Sequence, residues 1–211
     1  MQDNTTFSTQ RFDEAPIIGI LRGWEVETSL KIAGIFEAAG GYTLEVTMNT
    51  PHATEIIPKI QKAFPGLAIG AGTVCSVYDL EAALEAGSRF IVTPILNKEV
   101  IKACISANIP IFPGAYTPTE IYRAWDLGAS AVKVFPASQL GPRFIKDVLA
   151  PLNTIKLIPT GGVTKENIRS FFEAGAVGVG LGGSLVDKTL IQKGDFMGLK
   201  RHFRAVMEKI E

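Results

Sequence analysis

Lys133 stands alone in the apolar run Ala131-Val132-Lys133-Val134-Phe135, and Glu45 interrupts Leu44-Glu45-Val46 in the same way. An amine held among apolar side chains loses hydration, which disfavours its charged form and leaves its lone pair ready to attack a ketone. A carboxyl group nearby can move the protons that such an attack sets free. The competing reading is a buried Glu45–Lys133 ion pair, kept for specificity or merely tolerated, and such a pair says little about function. The positions of the two residues favour the chemical reading and leave the structural one open.

Two glycine-bearing stretches add a second kind of chemistry. Thr160 is followed by Gly161-Gly162, and Leu181 by Gly182-Gly183-Ser184. Bare backbone amides in such loops can cradle a phosphate, although one glycine pair alone marks no more than a tight turn. The presence of both favours phosphate. Arg22 could hold an anion or be a solvated surface residue. Gly70-Ala71-Gly72-Thr73 offers close backbone approach and a hydroxyl, while Phe135-Pro136 and Phe112-Pro113-Gly114 either wall a pocket or turn the chain.

Positioning these residues requires elements of two kinds, and the chain alternates them from Pro16 almost to its end. Short runs rich in β-branched residues predict strands at Pro16–Leu21, Tyr42–Thr47, Ala68–Gly72, Phe90–Thr93, Ile109–Phe112, Ala131–Phe135, Lys156–Pro159 and Val177–Leu181. Helices are expected between them, from Thr28 to Ala39, Ser76 to Ala86, Thr117 to Leu127 and Thr164 to Ala174, each opening near Ser or Thr and closing on glycine. Residues 187–211 are expected to supply the last helix, and residues 1–15 an N-terminal arm with a short helix. Eight βα repeats with near-continuous apolar strands predict a single-domain α/β fold over residues 1–211, a (β/α)8 TIM barrel of parallel strands. The rival is an open doubly wound sheet, which would usually carry a GxGxxG turn after its first strand; Gly19 to Gly23 is not one. In a barrel, residues at the C-terminal ends of the strands converge on one mouth. In strand two, alternation puts Thr43, Glu45 and Thr47 on one face and Leu44, Val46 and Met48 on the other.

Composition narrows the partners. Of 211 residues 46% are hydrophobic, enough for a sizeable core, and 21 basic residues balance 21 acidic ones. That balance gives no electrostatic footprint for nucleic acid or an anionic membrane, so a small-molecule substrate is expected. The polar N-terminus lacks an apolar signal core, and no apolar run is long enough to span a bilayer, which leads us to expect a cytoplasmic protein. Cys75 and Cys104 form no CxxC pair, and His52 and His202 lie 150 positions apart, so neither a disulfide framework nor a metal-ligand cluster is expected. A carboxylate-held Mg²⁺ stays open.

Taken together, these residues resemble the class I aldolases for 2-keto-3-deoxy-6-phosphogluconate and 4-hydroxy-2-oxoglutarate, with their phosphogalactonate relatives. The similarity runs over nearly the whole chain. It rests most specifically on Gly128 through Ala137 followed by Gly141, then on Leu44-Glu45-Val46-Thr47, Gly70 through Val74, Thr93-Pro94, Phe112-Pro113-Gly114, Pro159 through Val163 and Gly182-Gly183-Ser184.

The resemblance implies that Lys133 forms a Schiff base and that Glu45 shuttles protons. It further implies that Thr73 holds the pyruvate carboxylate, with Gly72, Pro94 and Phe135 beside the substrate, and that Thr160, Gly161, Gly162, Gly182, Gly183 and Ser184 surround the phosphate. It implies a homotrimer without metal or cofactor. The chain departs from the commonest pattern at Asn49, where many phosphogluconate aldolases carry an arginine for the substrate carboxylate, and Arg22 is the candidate to replace it. Val134 stands where the motif has a larger apolar residue. The expected reaction yields pyruvate and glyceraldehyde 3-phosphate from a phosphorylated sugar acid, or glyoxylate from 4-hydroxy-2-oxoglutarate. The alternatives are a metal-free isomerase or epimerase, with Glu45 as base and Lys133 as a fixed charge, and a non-catalytic sensor of sugar-acid phosphates.

Overall fold

All residues of β1 (Ile17–Leu21), β2 (Thr43–Thr47) and β3 (Ala68–Gly72) are buried, as parallel strands covered on both faces must be. The computed structural model describes residues 6–210. Its remaining strands are β4 (Ile91–Val92), β5 (Ile111–Phe112), β6 (Gly114–Ala115), β7 (Val132–Val134), β8 (Leu157–Pro159) and β9 (Val179–Leu181). They form a six-stranded sheet in the order β5-β4-β3-β2-β1-β9 and a three-stranded sheet in the order β6-β7-β8, with every pairing parallel.

The expected fifth strand is therefore cut in two. Pro113 has no N–H to give to a ladder, although its carbonyl accepts the Lys133 N–H at 2.9 Å. Before it Ile111-Phe112 pairs with β4, and after it Gly114-Ala115 pairs with β7. At the other seam Thr160, just past β8, forms an isolated parallel bridge to Gly180. The result is a parallel-strand α/β fold with a curled sheet.

Helices α1 (Thr9–Glu14), α2 (Val26–Glu37), α3 (Ala53–Ala63), α4 (Val77–Glu85), α5 (Lys98–Ser106) and α6 (Pro118–Asp126) follow in order. They continue with α7 (Gly141–Leu149), α8 (Ile168–Glu173), α9 (Lys188–Gln192) and α10 (Phe196–Met207). Ser76 and Thr117 cap α4 and α6 with full capping boxes, closed by Asp79 and Glu120. Three details differ from expectation. Helix α2 begins at Val26 rather than Thr28. Thr164 opens a turn, held by its N–H to Asn167 Oδ1 at 2.8 Å, and α8 starts only at Ile168. The last segment is two helices, because Gly194 takes φ +69° between α9 and α10. The short N-terminal helix is present as α1, while residues 1–5 and 211 of the expected arm and last helix lie outside the described residues.

The two faces of the sheet meet different cores. Leu44, Val46, Ile69, Val132 and Val134 pack toward the helices. On the inner face, Phe12, Tyr42, Phe90 and Phe112 cluster at the N-terminal side of the strands with Phe7 against them. The Phe7 ring lies 5.4 Å from Phe90 and 5.9 Å from Phe112. This aromatic plug fills one end of the inner face. The polar residues Glu45, Thr47 and Lys133 follow further along the strands, toward their C-terminal ends.

Candidate active site

The alternation of β2 turns Glu45 inward between Thr43 and Thr47, and that of β7 turns Lys133 inward while Val132 and Val134 face the helices. Both ionisable groups share one crevice with Ile18, Ile20, Val92, Phe112, Ile158, Thr160 and Gly180. Glu45 is 1% exposed and Lys133 5%. Among the described residues neither carboxylate oxygen of Glu45 has a hydrogen-bond partner, so the buried ion pair considered from the sequence is not made as a direct contact. Room for the carboxylate comes from Gly72, where an added Cβ would collide with Glu45 Oε1.

Burial dominates the protonation of both groups. It pulls the Lys133 ammonium below the ordinary lysine value of 10.5; the field of Glu45 opposes this and that of Arg22 adds to it. Burial also pushes the Glu45 carboxyl above its ordinary 4.5, against the opposing fields of Lys133 and Arg22. A lysine shifted in this direction is a better nucleophile at neutral pH, and a carboxyl so shifted can both give and take a proton. The Lys133 Nζ stands 5.0 Å from the centre of the Phe135 ring.

Lys133 forms part of the wall of a cavity of about 410 Å³ that opens past the C-terminal ends of β1, β7, β8 and β9. This is ample for a six-carbon phosphorylated acid. Arg22, Phe135, Thr160, Gly161, Gly162, Gly182, Gly183 and Ser184 line the same cavity. Gly161 and Gly162 adopt φ +85° and +83°, the left-handed region that favours glycine. Among the described residues, no acceptor takes the N–H of Gly161, Gly162, Gly183 or Ser184. The second loop is pinned from behind, because Ser184 Oγ donates to the Val163 carbonyl at 2.7 Å and His202 Nε2 lies 2.8 Å from the Ser184 carbonyl. The loops thus present free donors on a braced backbone, the arrangement that binds phosphate.

Five expected residues lie apart from this lining, the first being Glu45, which lines only the deeper crevice. Asn49 is exposed, Gly72 packs under Glu45, and Thr73 and Pro94 are half-buried, Thr73 with φ +57°. The structure also adds residues that the sequence did not single out. Ile20, Trp24, Val163, Thr164, Val186 and Lys188 belong to the cavity wall. Thr50 is buried and accepts the Gly23 N–H at 2.9 Å, with Thr47 Oγ1 2.9 Å from its own hydroxyl. This pair ties the turn after Arg22 to the strand of Glu45. The only sequence signal for it was a second hydroxyl three positions after Thr47.

A parallel α/β fold, a desolvated lysine in the wall of its cavity, and two donor-rich loops on the same rim are the parts that a Schiff-base enzyme with a phosphate-bearing substrate requires. Comparison with known proteins makes the class specific. The family model for KDPG and KHG aldolase matches residues 9–202. The 2-dehydro-3-deoxy-6-phosphogalactonate aldolase of Escherichia coli is 38% identical over 172 residues, covering 81% of this chain and 84% of its own. The 2-dehydro-3-deoxy-phosphogluconate aldolase of Haemophilus influenzae is 32% identical, with 96% of each chain covered. A crystal structure of KDPG aldolase from Legionella pneumophila, with pyruvate captured as a covalent carbinolamine, superposes with a TM-score of 0.86 at 28% identity, covering 93% of this chain and 96% of that one. The chain belongs to the KDPG and KHG aldolase family and is a carbon–carbon lyase.

Proposed function

We propose that the chain cleaves a 2-keto-3-deoxy-6-phospho sugar acid to pyruvate and glyceraldehyde 3-phosphate through an imine on Lys133. The observation that carries this reading is a lysine in the cavity wall with its charge suppressed by burial, sharing a crevice with a carboxyl group that has no hydrogen-bond partner among the described residues. Neutral Lys133 attacks the C2 ketone to give a carbinolamine. Loss of water, with the proton supplied by Glu45, leaves a protonated imine. The C3–C4 electron pair then flows into that imine while the C4 hydroxyl passes its proton to the Glu45 carboxylate, so that the aldehyde leaves and an enamine remains. Protonation at C3 and hydrolysis return pyruvate and the free amine, and one water is lost and one consumed.

The amides of Gly161, Gly162, Gly183 and Ser184, with Thr160 and Gly182 in the same wall, take the phosphate in this scheme. Arg22, whose field reaches both Glu45 and Lys133, takes the carboxylate end together with Thr73, in place of an arginine at Asn49, and the family resemblance assigns Gly72 and Pro94 to the substrate as well. Anchoring both ends holds the reacting bond over the amine. Relatives of both the phosphogluconate and the phosphogalactonate type support the substrate class, and 4-hydroxy-2-oxoglutarate fits the same pyruvate half. The comparisons do not favour an isomerase, an epimerase or a sensor.

The same reading takes the fold to be one domain, a (β/α)8 barrel closed at Pro113 and at the Thr160–Gly180 bridge. It takes the enzyme to be a homotrimer, as the family resemblance implies, and cytoplasmic, in keeping with two cysteines that form no disulfide. No helix among the described residues is long and apolar enough to cross a membrane.

Trapping with pyruvate and borohydride tests the chemistry. Peptide mapping should find the reduced pyruvate adduct on Lys133, and a lactate-dehydrogenase-coupled assay should detect pyruvate from the phosphorylated acids. A wild-type enzyme that carries no adduct at Lys133 rules the mechanism out.

A further inference from the structure

Among the described residues three cationic side chains line the cavity, and two of them, Lys133 and Arg22, have places in the scheme above. The third is Lys188, which opens α9 four positions after Ser184 and shares the wall with Gly161, Gly162, Gly183 and Ser184. Its neighbour Asp187 is otherwise engaged, its carboxylate accepting the N–H groups of Thr189 and Leu190 at 2.7 and 3.1 Å as the cap of α9. Among the described residues no carboxylate lies within 4.0 Å of the Lys188 ammonium. Lys188 is therefore an exposed, uncompensated cation on a flexible stem, set on the rim of a cavity whose nearby donors are neutral amides.

Neutral amides orient a phosphate but leave its charge of nearly −2 uncompensated. A lysine at the rim supplies a charge-assisted contact and, being exposed, incurs little desolvation in doing so. We propose that Lys188 is a specificity-determining residue that contacts the distal phosphate and sets the preference for phosphorylated over unphosphorylated 2-keto acids. The assignment rests on the aldolase reading of the cavity.

Lys188→Ala and Lys188→Arg, compared with wild type on 2-keto-3-deoxy-6-phosphogluconate and on 4-hydroxy-2-oxoglutarate, test it. Loss of one charge-assisted contact should raise KM for the phosphorylated substrate about tenfold with kcat within about twofold, leave the unphosphorylated substrate unaffected, and be largely reversed by arginine. Equal effects on the two substrates, or none on the phosphorylated one, overturn the assignment. A second measurement needs no turnover: inorganic phosphate should raise the Tm of the wild type and shift that of Lys188→Ala clearly less, and an identical shift in both counts against it. An absent pyruvate adduct on wild-type Lys133 would reject the aldolase reading itself, and the phosphate titration would still decide whether Lys188 binds the anion.

Discussion

Glu45 and Lys133 are buried in one crevice, yet the carboxylate accepts no hydrogen bond from the amine. Each acts on the other through its field, the carboxylate holding the Lys133 pKa up and the ammonium holding the Glu45 pKa down, while burial drives both the opposite way. The pair is thus poised toward neutrality, which an imine-forming amine needs.

A pH dependence follows from that balance. Imine formation with pyruvate should rise with pH through the lowered Lys133 pKa, so its midpoint lies below 10.5. Glu45→Gln removes the carboxylate whose field supports the ammonium, and the midpoint should move lower still. Cyanoborohydride trapping rates across pH read both midpoints. An upward displacement in the variant would contradict the assigned fields.

The same burial should cost stability. Because the folded pKa of Lys133 lies below its unfolded value, the unfolded chain holds the extra proton between the two. The penalty is complete below the folded value and fades as pH rises to 10.5. Lys133→Met should therefore raise the unfolding free energy at pH 7 by about 1 kcal/mol or more, and the gain should shrink toward pH 10. Glu45, then opposed by Arg22 alone, protonates more readily and does not remain as a bare charge. Urea titrations at the two pH values check this, and an unchanged or lower stability at pH 7 would refute it.

Much of this could be read in the chain because a parallel fold writes its pattern locally. An apolar run buried on both faces exposes any charge within it, so Lys133 and Glu45 could be picked out without coordinates. Ser76 and Thr117 announced α4 and α6 as hydroxyl residues ahead of a helical run, and the structure adds Asp79 and Glu120 as the partners that close their caps. Thr164 carried the same signal and marks only a turn, since Asn167 closes on its N–H and delays α8. What stayed hidden depends on contacts distant in sequence. The split at Pro113 is visible only when β4 and β7 are known to flank it. The approach of Lys188 to Gly161 and Gly162 requires β8 and β9 to be side by side, and nothing in the residues around Lys188 announces it.

The cysteines should differ in reactivity. Burial pushes the Cys104 thiol up to about 12, and the thiolate is the reactive form. Cys75 is half-buried and also raised, by partial burial and then by Asp79, with Lys133 opposing. In the native protein a disulfide reagent should label Cys75 slowly and Cys104 only on unfolding. A reduced pyruvate adduct leaves a protonatable secondary amine on Lys133 but sets a carboxylate beside it, which offsets the opposing charge and should slow Cys75 further. Equal labelling of both thiols in the native state would show the environments to be wrongly drawn.

Thr50 offers a test of how the Arg22 turn is held. Its hydroxyl accepts the Gly23 N–H and meets Thr47 Oγ1, both at 2.9 Å, so β2 and the turn after β1 share one polar hinge. Thr50→Val keeps the volume but leaves Gly23 without that acceptor. Gly23 is exposed and can turn to water, but the buried Thr47 hydroxyl loses its partner, so the stability loss should be about 1 to 3 kcal/mol. The larger effect should fall on binding, because Arg22 loses the anchor of the residue that follows it. With 4-hydroxy-2-oxoglutarate as substrate, KM should rise severalfold, as expected for one misplaced polar contact, and Thr50→Ser should restore it. Since this substrate has no phosphate, a rise confined to phosphorylated substrates would place the fault at the glycine loops and remove Thr50 from the carboxylate end.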